Sequence, residues 1–243
     1  MQNEQNRAPM LGARLQTALS MAEPCAVCAD IGADHGRLSA ALLLQGKAQH
    51  VLAADVSEKA LSKARRLLQR LVPKECVTFA VADGLEALNQ LPSSHADVVF
   101  ILGMGGETAA GILTRGQSRL QGAKLVLGAQ TDLDVLRQTL CAIRYRITHE
   151  EVAREGGRFY VLMKCEPAQA NEACCTEKER LLGPALLRDL PPEWQPMLER
   201  RKRLLTQAIA AMKRASLAKD AVRLQASLTE LGYIEEALLR YMR

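Results

Sequence analysis

The sequence contains no apolar run that approaches the roughly 20 residues of a membrane-spanning helix. Its opening segment, MQNEQNRAPM, also lacks the apolar core of a secretion signal. Aromatic residues are scarce: they make up 3% of the chain and include one tryptophan, which leaves little material for stacking nucleic-acid bases. We therefore expect a cytoplasmic protein that has no membrane partner.

The cysteines do not form the pattern of a disulfide framework, because they are odd in number, seven, and scattered through predicted strands and helices. Cys25 and Cys28 form a Cys-x-x-Cys pair, and Cys174 and Cys175 are adjacent. A zinc site is conceivable, but neither pair has the spacing of a zinc module, and Cys28 falls in a predicted buried strand. We expect small buried thiols and no metal site.

The composition is that of a folded globular protein, with 48% hydrophobic and 24% charged residues. A length of 243 residues suits one sizeable α/β domain with a smaller appendage, because single domains usually span about 50 to 250 residues. The net charge of +5 is mildly basic. It falls short of what a chain held on nucleic acid by charge alone would carry.

Strand-like apolar runs alternate with amphipathic helical runs through most of the chain, which indicates a doubly wound parallel sheet. The strands are predicted at residues 26–32, 50–55, 77–81, 96–102 and 124–130, and the helices at 10–21, 36–46, 56–72 and 132–143. Two further runs within 147–164, separated by Gly156-Gly157, predict an antiparallel hairpin. Together these elements are the outline of an α/β, Rossmann-like class I methyltransferase sheet.

The pattern after the hairpin is helical only. Thr176 and Glu179 have the spacing of a capping box. Farther on, apolar residues return at steps of three and four, which predicts two long helices packed as an antiparallel, coiled-coil-like α-helical hairpin. We therefore expect a methyltransferase domain at residues 1–166 and a C-terminal helical domain at 167–243.

Carboxylates stand at the ends of the first three predicted strands, where open α/β sheets bind their ligands. The first strand runs into the segment DIGADHG at 30–36, in which glycines allow a tight turn and a close backbone approach. The second strand ends in Asp55, at an offset from Gly32 close to the ~20 residues typical of a ribose-binding acid. The third ends in Asp83-Gly84. Each aspartate could instead cap the next helix, but the set favours a binding site.

The first loop also distinguishes between cofactors. It lacks the Gly-x-Gly-x-x-Gly spacing, and Asp34 would place a negative charge where a dinucleotide's pyrophosphate approaches a helix. S-adenosylmethionine has no phosphate and carries a sulfonium and an ammonium, so it gains from nearby carboxylates. We assign Asp30 and its loop to the methionine end, Asp55 to the ribose hydroxyls and Asp83 to the adenine amino group. The predicted cofactor-binding residues are Asp30, Gly32, Asp34, His35, Asp55, Val56, Asp83, Gly84 and Gly103.

The fourth predicted strand ends in the sequence GMGG at 103–106, which we call the GMGG loop. Class I enzymes that methylate nucleobase nitrogens generally place their target-binding motif at this position. Its glycines let the backbone approach a flat ring, and its carbonyls could accept a hydrogen bond from an exocyclic amine. A purely structural glycine turn explains the sequence equally well.

These motifs resemble those of the bacterial tRNA adenine-N1 methyltransferase family that modifies adenosine 22. The resemblance rests on DIGADHGRLSAAL, DGL, GMGG and Gln130 after the fifth strand. It extends through nearly the whole chain, with Arg14-Leu15 in the opening helix, GGRFYVL at the hairpin and LLGPALL in the helical region.

The resemblance implies an S-adenosylmethionine-dependent enzyme that methylates N1 of an adenine in tRNA. N1 has an available lone pair, so the enzyme need mainly hold it in line with the methyl group and manage the cation that forms. The predicted catalytic residues are Asp34, Met104 and Gly105: Asp34, or a carbonyl of the GMGG loop, could accept a proton or hydrogen bond from the amino group. His35 is another candidate, although a structural hydrogen-bonding role explains it equally well.

The predicted RNA ligands are Arg14 in the opening helix and Arg200, Arg201 and Arg203 in the basic run ERRKR. A solvated helix face is the more ordinary interpretation of such a run. Two alternatives stay open: methylation of a small molecule or a protein, and a helical interaction protein whose cofactor pocket is vestigial. We expect the chain to be monomeric.

Overall fold

The computed structural model describes residues 8–169, 174–215 and 221–242. The chain divides into two compact units, Met1–Ala173 and Cys174–Arg243. None of the helices in the described ranges has the length and apolar character needed to cross a bilayer.

The first unit contains seven strands, five α-helices and two 3₁₀ segments within its described residues. The strands are β1 (Cys25–Ile31), β2 (Ala48–Asp55), β3 (Val77–Val81), β4 (Val98–Leu102), β5 (Lys124–Ala129), β6 (Tyr145–Glu155) and β7 (Arg158–Pro167). The helices are α1 (Ala13–Ser20), α2 (Arg37–Leu44), α3 (Glu58–Leu71), α4 (Gly106–Leu120) and α5 (Leu133–Ala142). The 3₁₀ segments are Lys74–Cys76 and Gly84–Gln90.

The seven strands form one sheet in the order β3-β2-β1-β4-β5-β7-β6. The first five strands are parallel to one another, and β7 runs antiparallel to both β5 and β6. The hairpin turns at Gly156 and Gly157, which both have positive φ angles, 56° and 75°. The predicted α/β class I methyltransferase sheet is therefore confirmed, including its terminal hairpin.

The predicted strands and helices bury their apolar residues in a shared core. Strand β4 is buried at every residue, as expected for a central parallel strand covered on both faces. On one face, Leu42 of α2 and Phe100 of β4 belong to a cluster that also contains residues of α1 and β7. On the same face, Leu61 and Leu68 of α3 pack over Ala53 of β2, beside α2. These α3 residues are part of the apolar stripe that the sequence predicts.

The second unit is helical throughout its described residues. Its helices are α6 (Glu177–Leu182), α7 (Pro184–Asp189), α8 (Trp194–Ala215) and α9 (Ala221–Arg240). The predicted capping box is confirmed, because Thr176 Oγ1 accepts a hydrogen bond from Glu179 N and the Glu179 carboxylate accepts one from Thr176 N.

The long helices α8 and α9 run antiparallel, as predicted. Arg201 near the start of α8 pairs with Glu230 in the middle of α9, and Tyr241 beyond the end of α9 donates a hydrogen bond to the Pro191 carbonyl ahead of α8. Leu198, Leu205 and Ile209 on α8 are buried. These apolar side chains follow one another at intervals of seven and four residues, the helical periodicity that predicts the hairpin.

Two glycines allow α4 to pack closely on the 3₁₀ segment Gly84–Gln90. A Cβ added at Gly116 would lie 2.5 Å from Cβ of Leu85, and one added at Gly84 would lie 2.8 Å from Cγ2 of Ile112. Gly84 also has a φ angle of 56°. The 3₁₀ segment, which the sequence did not predict, therefore packs closely against α4 at these two glycines.

We expect Gly116→Ala to destabilise the first unit by about 1–3 kcal/mol, the range for overpacking a filled core. The matched control is Gly111→Ala on the same helix, where the nearest atom to an added Cβ is the guanidinium end of Arg115 at 3.1 Å. That flexible side chain can move, so the control should be neutral or stabilising by up to about 1 kcal/mol. Urea unfolding of the full chain measures both, and equal stability of the two variants would contradict the packing argument.

Candidate active site

A cavity of about 240 Å³ opens at the carboxyl end of β1. It is lined by the loop between β1 and α2, by Arg14 and Leu15 of α1, by Leu102 of β4 and by Glu155 of β6. This edge is where a doubly wound sheet binds its ligands, next to the point at which the strand order reverses between β1 and β4.

Asp30 lies at the floor of this cavity and is only 4% exposed. Its carboxylate accepts a hydrogen bond of 2.6 Å from Ser39 Oγ on α2. Burial raises the pKa of Asp30 to about 6, against the opposing effects of the Ser39 hydrogen bonds, while the nearby Asp55 carboxylate raises it further and the Arg14 guanidinium lowers it. The cavity therefore contains a poorly solvated carboxylate that would gain from a cation.

The loop after β1 is held in shape by the neighbouring strand. The backbone N–H groups of Gly32 and Ala33 both donate to the Ala54 carbonyl at 2.9 Å. Gly32 has a φ angle of 81°, and Asp34 adopts a left-handed φ of 45°. His35 Nδ1 lies 2.5 Å from Asp34 Oδ2, and both side chains are about half exposed. The predicted pair Asp34 and His35 thus forms one hydrogen-bonded unit at the cavity rim.

Asp55 ends β2 beside this loop. Its carboxylate accepts hydrogen bonds from Asp34 N at 3.2 Å and from Ser57 N at 2.9 Å, so its orientation is fixed. Its carbonyl accepts a hydrogen bond from Ala82 N, which places the end of β3 alongside. The next residue, Val56, has an apolar side chain that is 68% exposed. An exposed apolar side chain beside an ordered carboxylate could contact a flat ring next to a hydroxylated sugar.

Asp83 stands farther along the same edge and does not line the cavity of Asp30. Its carboxylate pairs with Arg115 of α4 at 3.2 Å, and both side chains are about 60% exposed. Exposed pairs of this kind contribute at most about 1 kcal/mol, so a ligand could displace Arg115 at little cost. The adjacent Gly84 has a structural role, since it lets Ile112 approach.

The GMGG loop has one face towards the cavity. The Met104 methyl group would lie 3.1 Å from a Cβ added at Gly32, so the Met104 side chain covers the β1 loop. Arg14 Nη1 would lie 2.7 Å from a Cβ added at Gly103, where φ is 78°. A side chain at Gly103 would therefore displace the arginine. The predicted residues of the two loops come together here.

Arg14, the predicted RNA ligand of the opening helix, lines the cavity. Its guanidinium lies 5.4 Å from the centre of the Tyr160 ring, and its backbone N–H donates to the Glu155 carboxylate at 3.0 Å. Across the described parts of the chain, no carboxylate forms an ion pair with this guanidinium within 4.0 Å. Sequence reasoning placed Arg14 in the opening helix but gave no signal that it faces Asp30.

Sequence reasoning missed Glu155, which lines the cavity, and Ser39, which is buried behind Asp30. Ser39 lies nine positions after Asp30, and a serine within a helix carries no signal of its own. Glu155 lies 141 positions after Arg14, at the end of the hairpin strand β6. Only the assembly of the sheet brings Glu155 to the cavity, whereas Ser39 reaches Asp30 within the β1–α2 unit.

The other predicted RNA ligands belong to the second unit. Arg200, Arg201 and Arg203 are on α8 of the second unit, where Arg201 forms hydrogen bonds of 2.7 and 2.9 Å with Glu230. Lys202 pairs with Glu235 at 2.9 Å. Two cations of the basic run are thus engaged within the helical hairpin.

The thiols of Cys25 and Cys28 lie 3.2 Å apart at the start of β1. Three residues of strand advance the chain by about 10 Å, which exceeds the Cα separation that a disulfide spans, so this pair cannot be bridged without backbone movement. Over residues 8–169, 174–215 and 221–242, no group of three or more His, Cys, Asp or Glu side chains is placed to hold a metal ion.

Comparison with known proteins gives a consistent result. A family model described as tRNA (adenine(22)-N(1))-methyltransferase, TrmK, matches residues 28–233. The tRNA (adenine(22)-N(1))-methyltransferase of Bacillus subtilis is 29% identical over 183 residues, which cover 74% of this chain and 76% of that protein.

Two solved structures share the fold. The crystal structure of the B. subtilis tRNA methyltransferase TrmK superposes with a TM-score of 0.85 at 24% identity, covering 94% of this chain and 99% of that one. M. capricolum TrmK, in complex with S-adenosylhomocysteine, gives a TM-score of 0.79 at 20% identity, covering 95% and 98%. Because the family match spans most of the sequence, the chain belongs to the tRNA (adenine(22)-N(1))-methyltransferase family.

Proposed function

We propose that this chain transfers the methyl group of S-adenosylmethionine to N1 of adenosine 22 in tRNA. The observation that carries the proposal is the cavity at the end of β1, in which a buried carboxylate and a guanidinium lie beside the glycine-rich GMGG loop. Family membership supports the reaction, and the charges in the cavity support the cofactor.

The cavity residues fit the methionine end of the cofactor, which carries an ammonium, a sulfonium and a carboxylate. When bound, S-adenosylmethionine supplies a methyl group activated by its sulfonium. Asp30 is the acceptor for a cation, because its buried carboxylate is poorly solvated. Arg14 is the ligand for the carboxylate, because its guanidinium lines the same cavity and is planar and permanently charged. We therefore propose a cofactor role for Arg14 in place of the predicted RNA contact.

The remaining cofactor contacts follow the strand ends. Asp55 is held in a fixed orientation to accept hydrogen bonds from ribose hydroxyls, and the exposed Val56 side chain offers an apolar contact for adenine. Asp83 would accept from the adenine amino group after releasing Arg115. The loop residues Gly32 and His35 would complete this contact surface.

The GMGG loop holds the target base. Met104 lies over the β1 loop and offers an apolar wall on the cofactor side, while Gly105 presents bare backbone to the base, next to Thr131 and Asp132. N1 of adenine attacks with its own lone pair, so in-line positioning is the main requirement and no general base is needed. Asp34, paired with His35, remains the predicted acceptor at the rim of the cavity.

We propose that the first unit holds the cofactor and that the second contacts the tRNA backbone through the basic run on α8. Arg203 is exposed at the end of this run. Arg201 is held by Glu230 and would be a weaker contributor. We also propose that the enzyme acts in the cytoplasm, where it would meet a tRNA substrate, and that it acts as a monomer.

The reaction is tested with two tRNAs that differ only at position 22. We expect methylation of an unmodified tRNA with adenosine 22 and none of the same tRNA with guanosine 22, because the guanine N1 carries a proton and has no free lone pair. Transfer of a labelled methyl group measures the rate, and a reverse-transcription stop at position 22 locates the methyl on the pairing edge. Equal methylation of both tRNAs, or a stop elsewhere, would contradict the proposed target.

The division of labour between two arginines gives a second test. Arg14→Gln should weaken S-adenosylmethionine binding by about 10- to 100-fold, since a hydrogen-bonded charge is lost, and leave tRNA binding intact. Arg203→Gln should do the reverse and lower the slope of log affinity against log salt by about 1. Calorimetry for the cofactor and filter binding for tRNA measure these effects in the full chain. If Arg14→Gln loses tRNA affinity alone, Arg14 is an RNA ligand.

A further inference from the structure

The GMGG loop has a second face, which lies against the segment after β5. Gly106 N donates to the Thr131 carbonyl at 3.0 Å, and a Cβ added at Gly106 would lie 2.2 Å from the Asp132 carbonyl oxygen. The segment after β5 therefore packs directly on the loop, backbone against backbone. Gly103 and Met104 lie against the cavity residues Arg14 and Gly32, while Gly105 and Gly106 face this segment.

The side chain of Asp132 points towards Gly105. A Cβ added at Gly105 would lie 3.7 Å from Asp132 Oδ2 and 3.1 Å from Thr131 Oγ1. Asp132 has a left-handed φ of 54° and precedes α5, but its carboxylate does not cap that helix. A base that lies against Gly105 would therefore have this carboxylate within reach of its edge.

The Asp132 carboxylate differs from the other carboxylates at this edge of the sheet. Asp30 accepts from Ser39, Asp34 from His35, Asp55 from two backbone N–H groups, and Asp83 from Arg115. Within residues 8–169, 174–215 and 221–242, no hydrogen-bond donor or cation engages the Asp132 side chain. It is an exposed acceptor that the fold itself does not use.

We propose that Asp132 reads the exocyclic amino group of the target adenine, accepting a hydrogen bond from it while N1 is methylated. The inference rests on the proposed function. A carboxylate accepts from the amino group of adenine and repels the carbonyl oxygen that guanine carries at the same position, so Asp132 contributes to the choice of base.

The same contact favours the transition state. The lone pair of N1 forms the new N–CH₃ bond as the C–S bond breaks, and the electrons of that bond remain on sulfur. No proton has to leave, and the positive charge moves from the sulfonium to the adenine ring, where it is shared with the amino nitrogen. The hydrogen bond from this amino group to a neighbouring carboxylate therefore becomes stronger as the reaction proceeds.

The test deletes each partner of the proposed hydrogen bond in turn. Single-turnover rates are measured at saturating cofactor and tRNA with adenosine at position 22, and with purine riboside there, which lacks the amino group. For the unaltered chain the rate ratio between these substrates includes both the lower basicity of purine and the lost hydrogen bond. In Asp132→Gly the hydrogen bond is absent with both substrates. The ratio of the adenosine rate to the purine riboside rate should therefore fall by about 10- to 100-fold, the range for a hydrogen bond to a charged group. Glycine suits the φ of 54°.

Two further variants interpret the result. Asp132→Asn keeps an acceptor and tolerates the left-handed backbone, so its ratio should lie between those of the unaltered chain and the glycine variant. Glu107→Gln removes one negative charge from the exposed first turn of α4 and should leave the ratio unchanged. An unaltered ratio in both Asp132 variants would overturn the inference, whereas absence of methylation of adenosine 22 by the unaltered chain would overturn the proposed function instead.

Discussion

The candidate site depends on the burial of one carboxylate. Asp30 is placed at the end of a central strand with 4% of its surface exposed, and its hydrogen bond to Ser39 does not fully replace the water it has lost. Burial accordingly raises its pKa to about 6. A cation in the cavity replaces the solvation that the Asp30 carboxylate loses on burial. The cavity therefore selects a positively charged ligand.

The two glycine-containing loops position the cofactor cavity and the proposed binding surface for the target base next to each other. Gly32 lets Met104 close over the β1 loop, and Gly106 lets the segment after β5 pack against the other side of the GMGG loop. The GMGG loop therefore contacts residues of the cofactor cavity as well as the segment that carries the Asp132 carboxylate. Bulkier side chains at these glycines would push the two sides apart.

Sequence alone predicted those features that are encoded locally or in periodicity. The strand ends with Asp30, Asp55 and Asp83, the hairpin at Gly156-Gly157 and the antiparallel long helices were all expected and are found. Contacts that depend on sheet closure had no local signal. The position of Arg14 beside Asp30, with its backbone held by Glu155 from 141 residues away, requires the strand order to be known. The orientation of Asp132 towards Gly105 likewise follows from the packing of two loops.

The central claim, that Asp30 binds the cationic end of the cofactor, is tested most directly by counting the protons that binding releases. With a pKa near 6, about half of the Asp30 side chains carry a proton at pH 6; a bound cation favours the ionised form, so S-adenosylmethionine should release about half a proton at pH 6 and almost none at pH 8. Affinity should fall as the pH drops below 6. Calorimetry in buffers of different ionisation enthalpy measures the release, which should persist in His35→Gln and vanish in Asp30→Asn. The absence of proton release at pH 6, or its persistence in Asp30→Asn, would contradict the account.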